Sequence, residues 1–305
     1  MKENVTITVN STLVEVMRDY YKDSLVNNQG EYVDFQATNN GVIITAYLSK
    51  KENKKVTFFG DNALLEAKIW DPEVEIKEKK ETVKEGWLFY GDQIGSDEVG
   101  VGDFLGPMIV VAAFVKESDI HTLIELGIHD SKKMSDKKIM EIGPQIAKQF
   151  SKQYSKLTLT NEKYNEMLDK GENLNSMKAK MHNRALLNMH KDYIDVLNIF
   201  VDQFVAEKTY YKYLNDANEE QVKDITFRTK GESYFPCVAL ASVIARYSYL
   251  KEMDRLSEKY EMEFPFGASK KVTEFAKRFL EKYGEEELYK VAKKNFANYN
   301  EVLGK

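Results

Sequence analysis

Two adjacent carboxylates, Asp97 and Glu98, stand at the end of an apolar stretch and just ahead of the glycine tract Gly100-Val101-Gly102. Acids placed where a strand gives way to a turn are where an oxygen-lined site for a hard cation would begin. Asp202 lies in Ile199-Phe200-Val201-Asp202-Gln203-Phe204, a run that otherwise reads as a buried strand. Burying a carboxylate without a partner is unfavourable, so such a position implies a cation, a metal or a hydrogen-bond network. Glu232 follows Gly231 ahead of an Ala-rich helical pattern, where a plain helix-start carboxylate favoured by the macrodipole is the simpler alternative. The chain has 49 acidic residues, so position rather than type singles out these four, and they share a task only if the fold gathers them.

All-oxygen ligation points to Mg2+ or Mn2+ rather than zinc, which recruits histidine or cysteine. The four histidines, His121, His129, His182 and His190, have no metal spacing and read as surface or partly buried helical residues. The single cysteine, Cys237, excludes an internal disulfide and a Cys-rich zinc site. There is no Walker loop, dinucleotide fingerprint or Ser or Cys nucleophile motif, so no organic cofactor is expected.

The elements that must position the acids fall into two domains. Residues 1–70 read as a small α/β unit: a strand at 5–9, a helix whose Thr12-Leu13-Val14-Glu15 matches a capping box, strands at 41–49 and 55–59, and a helix at 62–70. The helix places Leu13, Val16, Met17 and Tyr20 on one apolar face. Residues 71–85, DPEVEIKEKKETVKE, carry many charges and few large apolar groups, the composition of a solvated linker.

From 86 to 305 the pattern predicts strands at 88–97, 108–115, 154–160 and 196–202, and helices at 135–150, 176–192, 234–260 and 271–283. That order suggests a mixed sheet with helices on its faces. Met177, Met181, Ala185 and Met189 form an i+4 row best explained by core packing. Successive strand residues point to opposite faces, so Asp97 and Glu98 meet one metal only if the chain bends there, and the glycine tract supplies a bend.

Hydrophobic content is 43% and the formal net charge is −5, so a substantial core is affordable and a simple basic polyanion binder is disfavoured. Neither half is basic: 12 Lys and Arg stand against 15 Asp and Glu before Gly86, and 32 against 34 from there on. A polar start and the lack of an apolar run of spanning length lead us to expect a soluble, cytoplasmic protein, with no membrane partner and a monomer as the default.

Taken together, Gly95-Ser96-Asp97-Glu98-Val99-Gly100-Val101-Gly102-Asp103-Phe104-Leu105-Gly106-Pro107, Asp130-Ser131-Lys132-Lys133-Met134-Ser135, Val201-Asp202-Gln203-Phe204 and Lys230-Gly231-Glu232-Ser233 resemble the type 2 ribonucleases H, in the family's order. The N-terminal unit, Val101 within the glycine tract and Glu232 as the fourth acid place the resemblance in the HIII branch. Gly231 departs from the alanine expected there. The resemblance implies a ribonuclease H-like mixed sheet flanked by helices, with an N-terminal α+β module similar to one half of a TATA-box-binding-protein fold. It further implies hydrolysis of the RNA strand of RNA/DNA hybrids, with 5'-phosphate and 3'-hydroxyl products.

By the same resemblance, Asp97, Glu98, Asp202 and Glu232 are the catalytic ligands of two Mg2+ or Mn2+ ions. Backbone groups of Gly100, Val101 and Gly102 would meet ribose 2'-hydroxyls, and Ser131, Lys132, Lys133 and Lys230 would meet phosphates. The exposed faces of strands 42–47 and 55–59 would hold the duplex, although a core role for Ile44, Phe58 and Phe59 fits equally well. Two alternatives stay open: another metal-dependent nuclease, resolvase or transposase on a similar sheet, and a catalytically silent hybrid-binding protein.

Overall fold

The computed structural model describes residues 3–26, 32–49, 53–74, 87–129, 134–215 and 220–304. Tertiary contacts divide the chain into two units, Met1–Glu85 and Gly86–Lys305.

In the first unit β1 (Glu3–Asn10), β2 (Val33–Asn39), β3 (Val42–Tyr47) and β4 (Asn53–Gly60) form an antiparallel sheet in the order β1-β4-β3-β2. Helices α1 (Ser11–Tyr20) and α2 (Ala63–Lys68) close one face, where Val5, Ile7, Ile44 and Phe58 meet Val14, Met17 and Ala67. A two-residue turn, Asn40-Gly41 with φ of 48° and 78°, joins β2 to β3. Positive φ at both positions suits Asn-Gly and matches the twist of a hairpin.

Three expectations change here. The cap of α1 is Asn10, whose side chain accepts from the Leu13 amide, so the capping box does not start the helix. Its buried residues are Val14 and Met17 while Val16 and Tyr20 lie open, because the Tyr21 hydroxyl bonded to buried Glu66 anchors the neighbouring stripe. β2 is an added strand, since VDFQATN alternates too weakly to announce one without its hairpin partner.

The second unit runs β5 (Gln93–Val99), β6 (Met108–Val115), α3 (Ile120–Glu125), α4 (Asp136–Gln149), β7 (Tyr154–Leu159), α5 (Asn161–Asp169), α6 (Leu174–Asp192), β8 (Ile199–Asp202), α7 (Glu207–Asn215), β9 (Ile225–Arg228), α8 (Pro236–Tyr260), α9 (Lys270–Val291) and α10 (Ala297–Leu303). The sheet order is β7-β6-β5-β8-β9, antiparallel across β7, β6 and β5 and parallel across β5, β8 and β9. Every residue of β6 is buried, as a central strand covered on both faces must be. Ile109, Val111, Ala113 and Val115 face the cluster built around α8, while Val110, Ala112 and Phe114 face that of α6 and α7.

The first strand of this unit starts at Gln93 rather than 88, because Nε2 of the Gln93 side chain donates to the Phe89 and Gly91 carbonyls and holds that segment as a turn. β9, α5 and α7 are too short to have stood out. α9 passes beyond 283 to Val291, with non-helical backbone at Gly284. The methionine row packs as expected, with Met177, Ala185 and Met189 buried. Among the described residues no helix is long and apolar enough to cross a membrane.

Candidate active site

Alternation along β5 sorts the site. Gly95 faces α8, where a Cβ would stand 2.5 Å from Cys237 Sγ, so only glycine lets this helix approach the strand. Ser96 faces α6, its hydroxyl 2.7 Å from His182 Nδ1. Asp97 pairs across the sheet with Val111 of the α8 cluster, and Glu98 with Val110 of the α6 cluster. On β8 the same logic puts Phe200 on the α8 side and Ile199 and Val201 on the other. Asp202 therefore lies on the α8 side with Asp97.

Glu232 sits in the short turn Gly231–Ser233 that leads into α8, and is 5% exposed. The Gly231 amide donates to Asp202 Oδ1 at 2.8 Å, and a Cβ on Gly231 would come within 3.3 Å of Asp202 Cα. The turn is thereby pressed against the end of β8. Asp97, Asp202 and Glu232 thus share one side of the sheet at the C-terminal ends of adjacent parallel strands and the entry to α8. The bend expected to bring Glu98 round falls at Gly100, with φ 84° and room for no side chain against the Pro107 carbonyl. It comes after the pair, so Glu98 stays on the α6 side.

There Glu98 meets two residues that sequence reasoning did not select. Lys178 of α6 forms an ion pair with Oε1, and His182, one turn further on, lies 2.9 Å from Oε2 through Nε2. A carboxylate only accepts, so Nε2 donates. Phe204 backs both, stacked on the His182 ring and under the Lys178 ammonium at 4.0 Å. His182 has no exposed surface, contrary to the surface or partly buried role expected of it. The i,i+4 spacing of Lys178 and His182, next to the methionine row, was the available signal.

The electrostatics follow from these positions. Burial, then the nearby charges of Glu98 and Asp202, push the Asp97 carboxyl well above its usual range, against hydrogen bonds from Ser242 and the Glu98 amide. Burial acts the same way on Glu98, but the His182 hydrogen bond and the His182 and Lys178 charges outweigh it and hold that carboxyl low. Crowded carboxylates of which one resists ionisation fit a site completed by cations. As placed, no group of three or more His, Cys, Asp or Glu among the described residues forms a metal cage. Glu98 is engaged by Lys178 and His182 of α6, and Asp202 by the Gly231 amide. The all-oxygen donors of these acids suit Mg2+ or Mn2+.

Beside Glu98, a cavity of about 200 Å3 is lined also by Asp136, Ser242 and Arg246, and by none of the other three acids. Arg246 is fixed there by two 2.8 Å bonds to Asp136. Val101 packs on the cluster of Met108, Leu159, Tyr164 and Met177, while a Cβ on Gly102 would meet nothing within 4 Å. The turn accordingly offers backbone to the outside. Lys230 is exposed, in left-handed backbone with φ 61°, two residues before Glu232. Ser131, Lys132 and Lys133 lie outside the described residues.

A sequence profile of ribonuclease HII matches residues 94–299, and one of a domain of unknown function matches residues 4–83. Ribonuclease HIII of Bacillus cereus is 39% identical over 313 residues, spanning 99% of this chain and 99% of its own length. Ribonuclease HIII of Bacillus anthracis is 39% identical over 308 residues, spanning 98% and 97%. Among solved structures, Bst-RNase HIII in complex with Mn2+ superposes with a TM-score of 0.67 at 32% identity, over 99% of this chain and 98% of that one. The ribonuclease H2 of Pyrococcus horikoshii OT3, at 20% identity and a TM-score of 0.57, shares the fold over 69% of this chain and 96% of its own.

Proposed function

The chain belongs to the ribonuclease HIII family, and from that membership we propose that it cuts the RNA strand of RNA/DNA hybrids by a two-metal-ion route, leaving 5'-phosphate and 3'-hydroxyl ends. As a family member it is a metal-dependent endoribonuclease. The observation that supports the finer reading is that Asp97, Asp202 and Glu232 lie on one side of the sheet, the Asp202 charge bearing on Asp97 and the Gly231 amide tying Asp202 to the turn that carries Glu232.

Asp97, Glu98, Asp202 and Glu232 would hold two Mg2+ or Mn2+ ions, whose charge would lower the pKa of the attacking water and offset charge on phosphorus and the leaving 3' oxygen. The chain's own contribution is placement. The Gly231 amide sets the Asp202 rotamer, and Ser242 and the Glu98 amide steady Asp97. Lys178 and His182 keep Glu98 ionised within reach of the same strand end. Backbone of Gly100, Val101 and Gly102 would meet 2'-hydroxyls, the group that separates RNA from DNA. Lys230 would meet a phosphate, as would Ser131, Lys132 and Lys133.

For the N-terminal unit, the sheet face away from α1 and α2 is the candidate hybrid surface. It carries Thr6, Thr8, Lys55, Ile43, Tyr47 and Phe59, whereas Ile44 and Phe58 are wholly in the core. A face that mixes threonine and lysine with two exposed aromatic side chains suits a duplex backbone, and the opposite face is already covered.

Incubating a uniformly labelled RNA/DNA hybrid and a plain DNA duplex in parallel, with Mg2+ and with Mn2+, tests the proposal. Cleavage confined to the DNA duplex would favour another nuclease on this fold and sink the hybrid reading. The pairing of Glu98 with Lys178 is the one feature that favours a silent hybrid-binding protein, and that reading requires tight hybrid binding with no cleavage in either metal.

A further inference from the structure

Lys293 and Lys294 are neighbours with opposite fates. Lys294 pairs with Asp169, while Lys293 has no exposed surface at all. Its ammonium donates to the Asp103 carbonyl at 2.8 Å and the Gly106 carbonyl at 2.5 Å. The Lys293 amide donates to the Phe104 carbonyl, the Gly106 amide donates to the Val291 carbonyl, and Leu105 bridges to Ala292. Residues 291–293 therefore grip 104–106 as a short antiparallel ladder, and the ammonium spans that stretch from one end to the other.

The same stretch is pinned from two further directions. The Gly267 amide donates to Asp103 Oδ1 while Phe104 N donates to the Gly267 carbonyl. Tyr249 of α8 donates its hydroxyl to the Leu105 carbonyl. Directly upstream, Gly100 closes against the Pro107 carbonyl. Carbonyls rather than a carboxylate receive the buried charge, an arrangement that packing alone would not favour over a methionine.

We propose that Lys293 is a positioning residue whose ammonium sets the shape of the 100–106 turn and so makes hybrid affinity depend on pH. The inference rests on reading that turn as the 2'-hydroxyl contact. Burial pushes the Lys293 ammonium down to about 7, with Asp103 opposing the shift. The groups facing it are Asp103 on the turn, Tyr164 of α5 with its ring 6.0 Å away, and Tyr249 and Arg246 of α8, which bear on Asp103. Burial raises both tyrosines and the Asp136 contact raises Arg246, so none of the three changes charge near neutrality. Protonated, Lys293 offers three N–H donors and a full charge to the carbonyls; as an amine it offers two donors and none, a weaker grip.

The test is hybrid and DNA-duplex binding by fluorescence anisotropy in an Asp202→Asn background, with and without Lys293→Met, at about pH 6 and about pH 8.5, on either side of the perturbed lysine. With Lys293 present, hybrid Kd should weaken by about fivefold over that range, and DNA-duplex Kd should not change. The methionine variant should bind hybrid as weakly at the lower pH as the lysine form does at the higher, while melting no lower. Unchanged hybrid affinity in Lys293→Met, or equal loss for both duplexes, overturns the proposal. If the variant fails to fold, the lysine form decides alone, and a flat hybrid Kd across the range overturns the proposal. A protein that never prefers hybrid over DNA instead removes the reading of the turn, whereas a preference indifferent to pH and to Lys293 removes only this role.

Discussion

Lys178 of α6 forms an ion pair with Glu98 at the end of β5, the two side chains being 8% and 9% exposed. The ammonium occupies one oxygen of a carboxylate that the family resemblance assigns to metal. A divalent ion drawn to Glu98 must therefore compete with a charge built into the protein.

Lys178→Met keeps an unbranched side chain and deletes the charge that sits over Phe204. In EDTA the variant should lose stability, by about 3 kcal/mol, because a buried carboxylate has lost the charged one of its two partners and keeps only His182. Titration calorimetry should show Mn2+ binding tightened by at least about threefold, a fraction of a like-charge contact at short range. Weaker Mn2+ binding would mean that Lys178 organises the site rather than competes for it.

Asp202→Asn leaves an oxygen for the Gly231 amide, so the local fold should survive. Hybrid affinity should stay within about threefold while turnover falls by at least about a hundredfold, since the amide cannot supply an anionic ligand. Gel assay of cleavage beside anisotropy of binding separates the two effects, and retained turnover would remove Asp202 from the metal site.

Tyr47 and Phe59 are 39% and 41% exposed on the open sheet face of the N-terminal unit. Replacing both with alanine should change melting temperature little, because neither fills the core. KM for the hybrid should rise by about tenfold with kcat nearly constant, the signature of lost binding that is equal in ground and transition states. An unchanged KM would show that the hybrid lies elsewhere.

Stability should depend on pH through Lys293. Its folded-state value, about 7, lies below the unfolded value of about 10.4, so between them the unfolded chain holds the extra proton. Stability then climbs as pH rises through that window and is lost as pH falls through about 7. Melting curves of the wild type should gain on those of Lys293→Met from about pH 7 to about pH 10; parallel curves would show that burial does not perturb this lysine.

Much of the positioning frame was legible locally. β6 and β7 announce themselves by apolar and alternating runs, and the glycine bend by its residue types. The helix 236–260 begins with proline where a missing N–H is harmless. What escaped was short or conditional: β9 has four residues and β2 needs β3 beside it. At the site, Asp97 and Asp202 were read from their apolar surroundings. Lys178 and His182 were not, because a lysine and a histidine on a helix look the same whether they face water or a buried acid.

Residue chemistry and order along the chain determine the candidate acids, the glycine turn and the family. Which side of the sheet each acid takes is a tertiary matter: alternation separates Asp97 from Glu98, but only the packing of α8 and α6 says what each then meets. The decisive pairings span great distances in sequence, 84 residues from Glu98 to His182 and 190 from Asp103 to Lys293. Local periodicity carries no record of such contacts, since they arise from which faces are buried together rather than from spacing within either segment.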